Sequence, residues 1–419
     1  MVAPGAAAHA VVEDLFRREF AHVLAALTRL LGTSNLMLAE DVVQDALLKA
    51  MHAWQFEIPQ DPKAWILRTA KNRAIDLIRR DRRLTSLLQA KDSVWTPAEA
   101  VDAAFAPAED VSNQLAMMLS ICDEKLSQET HVTLILRLLC GLSPAEIARA
   151  YLVDTQTIDR RLHRGRARLQ ELGHLCDVTD RNATRGRERS VLQALYLLFN
   201  EGYHGSDPDN PLHPAMCADA IRLAELILES RSSERSEVHA LAALFCFNAA
   251  RLATRLDDDG VFVPLAEQDR SRWERSLIAR GIIHLAQAAA GNQLTPWHLE
   301  AGIACEHATA QSTHETNWPR IVELYDALLA LTPSPVIGLN RALAVAELRG
   351  LAAGREALQG VADNPKLSTY SFLWAALADI ERRAGRQSEA RAFYDRAITF
   401  AKSRGERLGY ERKLKLLGN

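Results

Sequence analysis

The feature that most constrains the fold is one arginine-rich stretch, Ser143–Gln170, which reads SPAEIARAYLVDTQTIDRRLHRGRARLQ. Ser143 and Glu146 have the spacing of a capping box, in which each side chain bonds the backbone N–H of the other residue. Asp154 is the expected N-cap of a second helix, because its carboxylate can accept from the free N–H groups of the first turn. The stretch therefore predicts two helices joined by a tight turn around Leu152.

The second helix of this pair carries a high density of positive charge. Ile158, Leu162 and Leu169 recur at helical spacing and predict the buried stripe. Basic side chains fill the remaining surface: Arg160, Arg161, His163, Arg164, Arg166 and Arg168. An arginine-dense helix behind a short helix and turn suits the major groove of DNA, where arginine contacts guanine edges and phosphates. A solvated helix face is the plainer alternative, but acids are nearly absent after Asp159, which favours DNA binding.

Composition limits what the rest of the chain can be. The 419 residues suffice for two or three domains, and 48% of them are hydrophobic, so substantial cores can form. The net charge is only −3, so DNA binding has to rest on local basic patches. The six cysteines form no C-x-x-C pair, which argues against a zinc ribbon or disulfide scaffold and suits a reducing cytosol. Neither a secretion signal nor a membrane span is recognised, so we expect a soluble, cytoplasmic protein.

Two amphipathic helices are predicted near the start of the chain, at Val11–Leu31 and Leu38–Trp54. The second has an apolar face and, opposite to it, a polar face. That polar face fits either solvent or a docking partner, and spacing alone leaves the two interpretations about even. Its members are Glu40, Asp41, Gln44 and Asp45.

A basic helix is predicted to begin at Pro62, where the chain reads PKAWILRTAKNRAIDLIRRDRR. We assign Trp65 to its buried face. Trp54 and Phe56, which precede the helix, are left open between core packing and stacking on unpaired bases, because aromatic rings beside basic groups can hold single-stranded DNA. This helix is the second basic patch of the chain.

The segments between these elements change in character. Leu84–Ser112 is rich in alanine, proline and acids and predicts a linker. Helices at Val111–Leu126 and Gln128–Leu139 then lead into the arginine-rich pair. After that pair, Gly173–Arg187 is polar and predicts a hinge.

More than half of the chain follows the hinge, and its patterns are helical throughout. Paired helices with short turns predict an α-solenoid, so the whole chain is expected to be all-α. One unit follows the tetratricopeptide (TPR) pattern, in which small residues let two helices approach and a tyrosine fills the groove. Its residues are Trp374, Leu377, Ala378, Gly385, Ala390, Tyr394 and Ala397.

The ordered set of motifs resembles a known family. EDVVQDALLKAMHAW, PKAWILRTAKNRAIDLIRR, a linker and LSPAEIARAYLVDTQTIDRRLHRGRARL follow one another within about Val11–Leu172, as in the extracytoplasmic-function sigma factors of bacterial RNA polymerase. YLLFNEGYHGSD, DRSRWERSLIARG and SPVIGLN resemble the TPR-like extension of one subgroup, which is commonly linked with DGPF-domain proteins. The resemblance implies a region two domain at 8–84, an acidic linker at 85–112, a region four helix-turn-helix domain at 113–175 and a TPR-like regulatory domain at 186–419.

The resemblance also implies roles for individual residues. Core RNA polymerase would be bound through its β′ clamp helices and β flap, with the clamp helices meeting Asp41, Gln44 and Asp45. The minus-ten promoter element would meet Lys63, Lys71, Asn72, Arg73, Asp76, Arg79 and Arg80. The minus-thirty-five element would meet Thr155, Gln156, Thr157, Arg160, Arg161, His163, Arg164 and Arg168. The loop before the basic helix would trap a flipped base, and the linker would run toward the RNA exit path.

Two other classes of protein were weighed. A stand-alone helix-turn-helix regulator with a TPR-like sensor is the main alternative, although it has no need for both upstream helices. An enzyme could use Glu201 with His204 or His213 as acid–base or metal groups, but no ligand spacing or nucleophile motif supports this. We therefore expect no catalysis and no cofactor, and a protein partner on the TPR-like domain.

Overall fold

The structure is a computed structural model. It describes residues 19–54, 58–81, 96–151, 153–178, 180, 184, 186–204, 212–229 and 235–417. Predictions for the start of the first helix, for Phe56, for the turn at Leu152 and for the first part of the linker lie outside the described residues. The chain divides into two units, which consist of residues 1–198 with 225–233 and residues 199–224 with 234–419.

The described helices of the first unit follow the predicted order. They are α1 (19–31), α2 (Leu36–Ala53), α3 (Pro62–Arg80), α4 (Pro97–Ala104), α5 (Pro107–Ile121), α6 (Gln128–Leu138), α7 (Pro144–Ala150) and α8 (Thr155–Leu172). Helices α9 (Arg187–Tyr203) and α10 (Pro214–Glu229) each contribute residues to both units.

The second unit continues with further helices. They are α11 (Arg235–Ala249), α12 (Arg275–Ala288), α13 (Pro296–Thr309), α14 (Trp318–Leu331), α15 (Pro335–Arg349), α16 (Leu351–Ala362), α17 (Ser371–Arg383), α18 (Gln387–Phe400) and α19 (Arg404–Lys415). The described residues contain one isolated β-bridge, between Leu256 and Phe262, and otherwise no strand pairing. The prediction of an all-α chain is confirmed.

The predicted linker is folded in its second half. Helix α4 begins at a capping box, in which Thr96 N–H donates to Glu99 at 2.7 Å and Glu99 N–H donates to Thr96 at 3.3 Å. Val101 and Phe105 are buried. Sequence composition concealed this helix because alanine, proline and acids are common in linkers and are also favourable in a first helical turn.

The predicted hinge is anchored at its beginning within the first unit. Gly173 ends α8 with φ of 73°, a conformation that favours glycine, and its carbonyl accepts from Thr33 N–H at 3.2 Å. Cys176 N–H donates to the hydroxyl of Ser120 at 2.7 Å, and Cys176 is buried. The first residues of Gly173–Arg187 are therefore packed, contrary to the prediction of a free polar hinge.

The second unit consists of packed helix pairs. The TPR pattern is confirmed in α17 and α18, since Trp374, Ala378, Ala390 and Tyr394 are all buried in one core. Helices α16 and α19 were not predicted as separate elements. Gly354 and Gly360 lower the helix propensity of α16, and α19 is mostly charged, so its apolar period is weak.

Candidate nucleic-acid interface

Helices α7 and α8 form the predicted helix-turn-helix. Ser143 N–H donates to the Glu146 carboxylate at 2.7 Å, and Glu146 N–H donates to the Ser143 hydroxyl at 3.2 Å. Asp154 accepts from Thr157 N–H at 2.6 Å and so caps α8. Both caps that were read from the sequence are confirmed, because each depends only on residues three positions apart.

The inward side of α8 is also as predicted, with one addition. Ile158, Leu162 and Leu169 are buried. Gly165 lies on the same stripe, and a Cβ atom there would be 2.5 Å from Cδ1 of Leu134. Glycine at this position therefore lets α8 approach α6 closely. The sequence analysis missed this role, although an isolated glycine on the apolar stripe of a helix was a usable signal.

The outward side of α8 carries most of the predicted minus-thirty-five set. Arg160 lies along the first turn, where its Nη2 donates to Thr157 Oγ1 at 3.1 Å. Among the described residues, no carboxylate lies within ion-pair distance of Arg160, Arg161 or Arg164. Thr157 and Arg161 are half-buried, and the exposed members are Thr155, Gln156, Arg160, His163 and Arg164.

Arg168 stands apart from the rest of that set, because its guanidinium is used inside the protein. It donates to both carboxylate oxygens of Asp123, at 2.9 and 3.1 Å, and to Glu171 at 2.7 Å. Arg187 donates to the same Asp123 carboxylate at 2.9 Å. Burial would raise the pKa of Asp123, but these bonds and charges outweigh it and lower the pKa. Arg168 therefore stabilises the fold, and it is removed from the candidate DNA contacts.

Arg166 is likewise engaged within the first unit. Its Nη2 donates to both carboxylate oxygens of Glu40 on α2, at 2.9 and 2.8 Å. Arg137 on α6 donates to Glu40 at 3.2 Å. Glu40 is only 4% exposed, so its placement on the polar face of α2, which was left open between solvent and a docking partner, is wrong. These bonds connect the helix-turn-helix with the helix predicted to bind a partner.

Some of the residues of α3 that were predicted to meet the minus-ten element form ion pairs within the protein, whereas others pair with no described carboxylate. Lys63 pairs with Glu19 at 2.9 Å, and Lys71 pairs with Asp102 on α4 at 2.8 Å. The exposed members that make no ion pair with a described residue follow one face of the helix, on which Arg68 was missed by the sequence analysis. That face consists of Arg68, Asn72, Asp76, Arg79 and Arg80.

Helix α2 has an exposed face that is partly apolar. Asp41 and Gln44 are exposed as predicted, whereas Asp45 pairs with Arg73 on α3 at 2.9 Å. Met37 is 61% exposed and Leu48 is 53% exposed. Positions 37, 41, 44 and 48 share one helical face, which we call the α2 docking face. The two apolar members were missed, although their spacing from Asp41 and Gln44 was visible in the sequence.

The tryptophans beside α3 are packed against each other. Trp54 is 2% exposed, and its ring centroid lies 5.5 Å from that of Trp65 in an edge-to-face arrangement. Trp65 is half-buried in the same cluster. The alternative that was left open for Trp54 is thereby resolved in favour of core packing.

The remaining expectations concern membranes and metals. Of the helices in the described ranges, none has both the length and the apolar character needed to cross a bilayer. Within the same ranges, no three histidine, cysteine or acidic side chains are grouped so that they could hold a metal ion.

Three stretches of the chain match known protein families. Residues 15–84 match the family described as Sigma-70 region 2, and residues 122–169 match Sigma-70, region 4. Residues 187–289 match a family of unknown function, DUF6596. An uncharacterized protein of Rhizobium meliloti (strain 1021) is 32% identical over 380 residues, which cover 89% of this chain and 88% of that protein. The crystal structure of the APC/C hetero-tetramer Cut9-Hcn1 aligns over 92% of this chain and 83% of its own, with 13% identity and a TM-score of 0.31, which is too low to support an argument about the fold.

Proposed function

This chain belongs to the sigma-70 family and is of the extracytoplasmic-function type, and we propose that it reads the minus-thirty-five element through the exposed face of α8. Sigma factors of this kind bind core RNA polymerase, recognise promoter DNA and initiate transcription. The observation that carries the residue assignment is an arginine-rich helix face on a capped helix-turn-helix, whose Arg160, Arg161 and Arg164 pair with no carboxylate in the described part of the chain. Arg160, His163 and Arg164 are its proposed base and phosphate contacts.

The minus-ten element is assigned to the exposed face of α3. Asn72, Arg79 and Arg80 offer hydrogen-bond donors on one side of the helix, and Arg68 extends that side. Lys71 and Arg73 are added once their ion pairs are exchanged for phosphate contacts, because half-exposed pairs of this kind are weak. Lys63 is added as well, although its release leaves the buried carboxylate of Glu19 without that partner.

Core polymerase is assigned to the α2 docking face. Two exposed apolar side chains flank two polar ones at a spacing of four, three and four residues, which suits packing against another helix. The β′ clamp helices of the polymerase are the proposed partner. Asp45 joins this face once Arg73 has exchanged their ion pair for a phosphate contact.

The contacts between α8 and α2 imply that the first unit opens on promoter DNA. The two promoter elements are centred about 25 base pairs apart, which is about 85 Å at about 3.4 Å per base pair. Arg166 and Glu40 are 2.8 Å apart in this structure, and Thr33 N–H bonds the carbonyl of Gly173. Both elements therefore cannot be bound until these contacts separate, and binding of core polymerase is the proposed source of the energy.

Reconstituted transcription tests these assignments. Purified chain and core polymerase are combined on a candidate promoter, with Leu48→Glu for docking, Arg164→Ala for DNA contact and Arg320→Gln as an exposed control. We expect Leu48→Glu to lose core binding, and Arg164→Ala to bind core normally but to bind the promoter more weakly, by about 1–3 kcal/mol. Normal transcription by both variants would contradict the proposal.

The second unit is proposed to modulate this activity, directly or through a protein that binds its helix pairs. The chain is compared with a form ending after Leu198, which retains Arg187 and its bond to Asp123. Circular dichroism first establishes that the shortened form is folded. A clear difference in promoter-dependent transcription is expected, whereas equal activity would show that the second unit has no part in it.

A further inference from the structure

Three arginines of the second unit lie near one another, and no described carboxylate pairs with any of them. Arg255 is 5% exposed and Arg270 is 8% exposed, while Arg251 is half-buried. None of the three takes part in an ion pair with any of the residues that the structure describes. All of them lie within the stretch that matches the family of unknown function. We call them the arginine cluster.

Arg255 is the most enclosed member of the arginine cluster. Its guanidinium carbon lies 3.6 Å from the ring centroid of Tyr203 and 5.4 Å from that of Phe262. Its Nη2 donates to Nδ1 of His204 at 3.1 Å. Its Nη1 is buried and has no hydrogen-bond partner. One buried donor of the arginine cluster is thus left unsatisfied.

The other two arginines have neutral partners. Arg251 Nε donates to the hydroxyl of Tyr203 at 2.5 Å. Arg270 Nη1 donates to the backbone carbonyls of His307 and Ala310, at 2.8 and 2.9 Å. Carbonyl and phenol oxygens orient these side chains, but they do not neutralise the charge.

The histidines beside the cluster do not change its charge at neutral pH. Burial and the charges of Arg255 and Arg251 lower the pKa of His204 to about 3. Burial and the charges of Arg251 and Arg270 lower the pKa of His307 to about 3. Both rings are neutral, so the positive charge comes from the guanidinium groups alone. His204 also faces a cation, which disfavours the metal-binding role considered from the sequence.

An uncompensated charge in this position is energetically unfavourable. Arginine is almost never fully buried unless it is paired, and guanidinium stays protonated in proteins. Stacking on Tyr203 offsets part of the cost. Glu315, which acts on Arg270 electrostatically, is exposed and beyond ion-pair distance. Among the described residues, the arginine cluster therefore has no carboxylate partner.

We propose that the arginine cluster binds a small oxyanion, namely the phosphate or carboxylate group of a low-molecular-weight ligand. The planar fork of arginine matches both groups, and two arginines around one tyrosine provide several charge-assisted donors. The enclosure of Arg255 excludes a large partner surface. Nη1 of Arg255, which has no hydrogen-bond partner, and the guanidinium of the half-buried Arg251 are the assigned contacts.

The segment 256–264 connects this site with the end of the chain. Its Phe262 covers Arg255 on one side. On the other side, Asp257 accepts from Arg412 on α19 at 2.6 Å, and a Cβ atom at Gly409 would be 3.1 Å from Val261. Because Arg255 Nη1 has no free access, ligand entry requires this segment to move. Ligand binding is therefore expected to change amide exchange in 256–264 and in α19.

Calorimetric titration of the full chain tests the proposal, with inorganic phosphate and malonate as separate probes at an ionic strength held constant with chloride. Arg255→Met and Arg251→Gln alter the site. Arg320→Gln is the control, since that side chain is exposed and paired with Glu323 at 3.0 Å. The double variant Arg160→Gln with Arg164→Gln removes the anion-attracting face of α8, so binding that survives in it is independent of the proposed promoter contacts.

We expect at least one anion to bind the full chain and the α8 double variant alike. Affinity should fall by roughly tenfold or more in Arg255→Met and Arg251→Gln and stay unchanged in Arg320→Gln. If only phosphate binds, the ligand carries a phosphate group; if only malonate binds, the ligand carries a carboxylate group. Without ligand, Arg255→Met should be no less stable than the parent, because an unpaired charge has been removed.

Two results would overturn the proposal. One is that neither anion binds more tightly than chloride. The other is that binding survives unchanged in both Arg255→Met and Arg251→Gln. If Arg255→Met does not fold, Arg251→Gln alone decides, because its half-exposed side chain can be replaced without opening the core.

Discussion

Substituting Glu40 by alanine is the sharpest test of how the first unit is held together. Glu40 accepts from Arg166 through both of its oxygens and from Arg137 through one. Its removal leaves two guanidinium groups without their carboxylate. Because these groups belong to α8 and α6, the effect is expected at the contact between α2 and the helix-turn-helix rather than within α2.

The size of the effect follows from burial. The side chain of Glu40 is 5% exposed, compared with 12% for Arg137 and 26% for Arg166. Removing one partner of a buried ion pair costs about 3–5 kcal/mol, because the other charge is left uncompensated. Arg166 can turn partly toward water, so we expect the lower end, about 3 kcal/mol. That is a large part of the stability of an ordinary domain, about 5–15 kcal/mol.

Hydrogen exchange measured by mass spectrometry reports this loss locally. A change of about 3 kcal/mol corresponds to roughly 150-fold faster exchange of the protected amides of α8 and α2. Asp41→Ala is the matched control, since Asp41 is the neighbouring acid on α2 and is exposed. Combining Glu40→Ala with Arg166→Met should recover part of the loss, because one stranded charge is then removed.

The reasoning is refuted if Glu40→Ala and Asp41→Ala exchange at the same rate in α8. It is also refuted if Arg166→Met adds a further loss in the Glu40→Ala background. In either case, the ion pairs would contribute little, and the contact would rest on apolar packing.

Three other outcomes are expected. Arg164→Ala should weaken promoter binding by about 1–3 kcal/mol at unchanged stability, which mobility shifts with holoenzyme measure. Arg168→Ala should instead lower the melting temperature, which thermal melting measures. Gly165→Ala should destabilise the protein by about 1–3 kcal/mol in a denaturant titration, because the added methyl group would overlap Leu134. Since its bonds lower the pKa of Asp123, that carboxylate contributes stability that is fully present above about pH 3.9, its unfolded value, and lost as the pH falls through the lower folded value. The melting temperature of Asp123→Asn should therefore fall less steeply than that of the parent as the pH is lowered.

Local spacing was enough to predict much of the first unit. The caps at Ser143 and Asp154 involve residues three positions apart, so any chain that forms these helices makes the same bonds. The buried stripe of α8 follows in the same way from the helical period. The TPR pair of α17 and α18 was recognisable because its small and aromatic residues repeat at fixed distances.

Composition was a poorer guide than spacing. The stretch before α5 has the residues of a linker, yet α4 folds because Val101 and Phe105 find a core to enter. Gly173 and Cys176 look like the start of a polar hinge, but their backbone groups are bonded to Thr33 and Ser120. In both places, residues distant in sequence supplied the apolar contacts or hydrogen bonds that hold the segment in place.

By itself, the sequence determined the helix-turn-helix pair, its two caps and which helix is rich in arginine. Only the tertiary structure decided which arginines are free, because Arg164 and Arg168 are the same residue type on one helix and differ only in whether Asp123 lies within reach. The same holds for Glu40, which is one of four polar residues on α2 until packing brings it to Arg166. Helical hydrogen bonds act over a few positions of the chain, whereas an ion pair acts over a few ångströms of space. Separation along the chain can be read directly from the sequence, whereas separation in space is determined only by the fold.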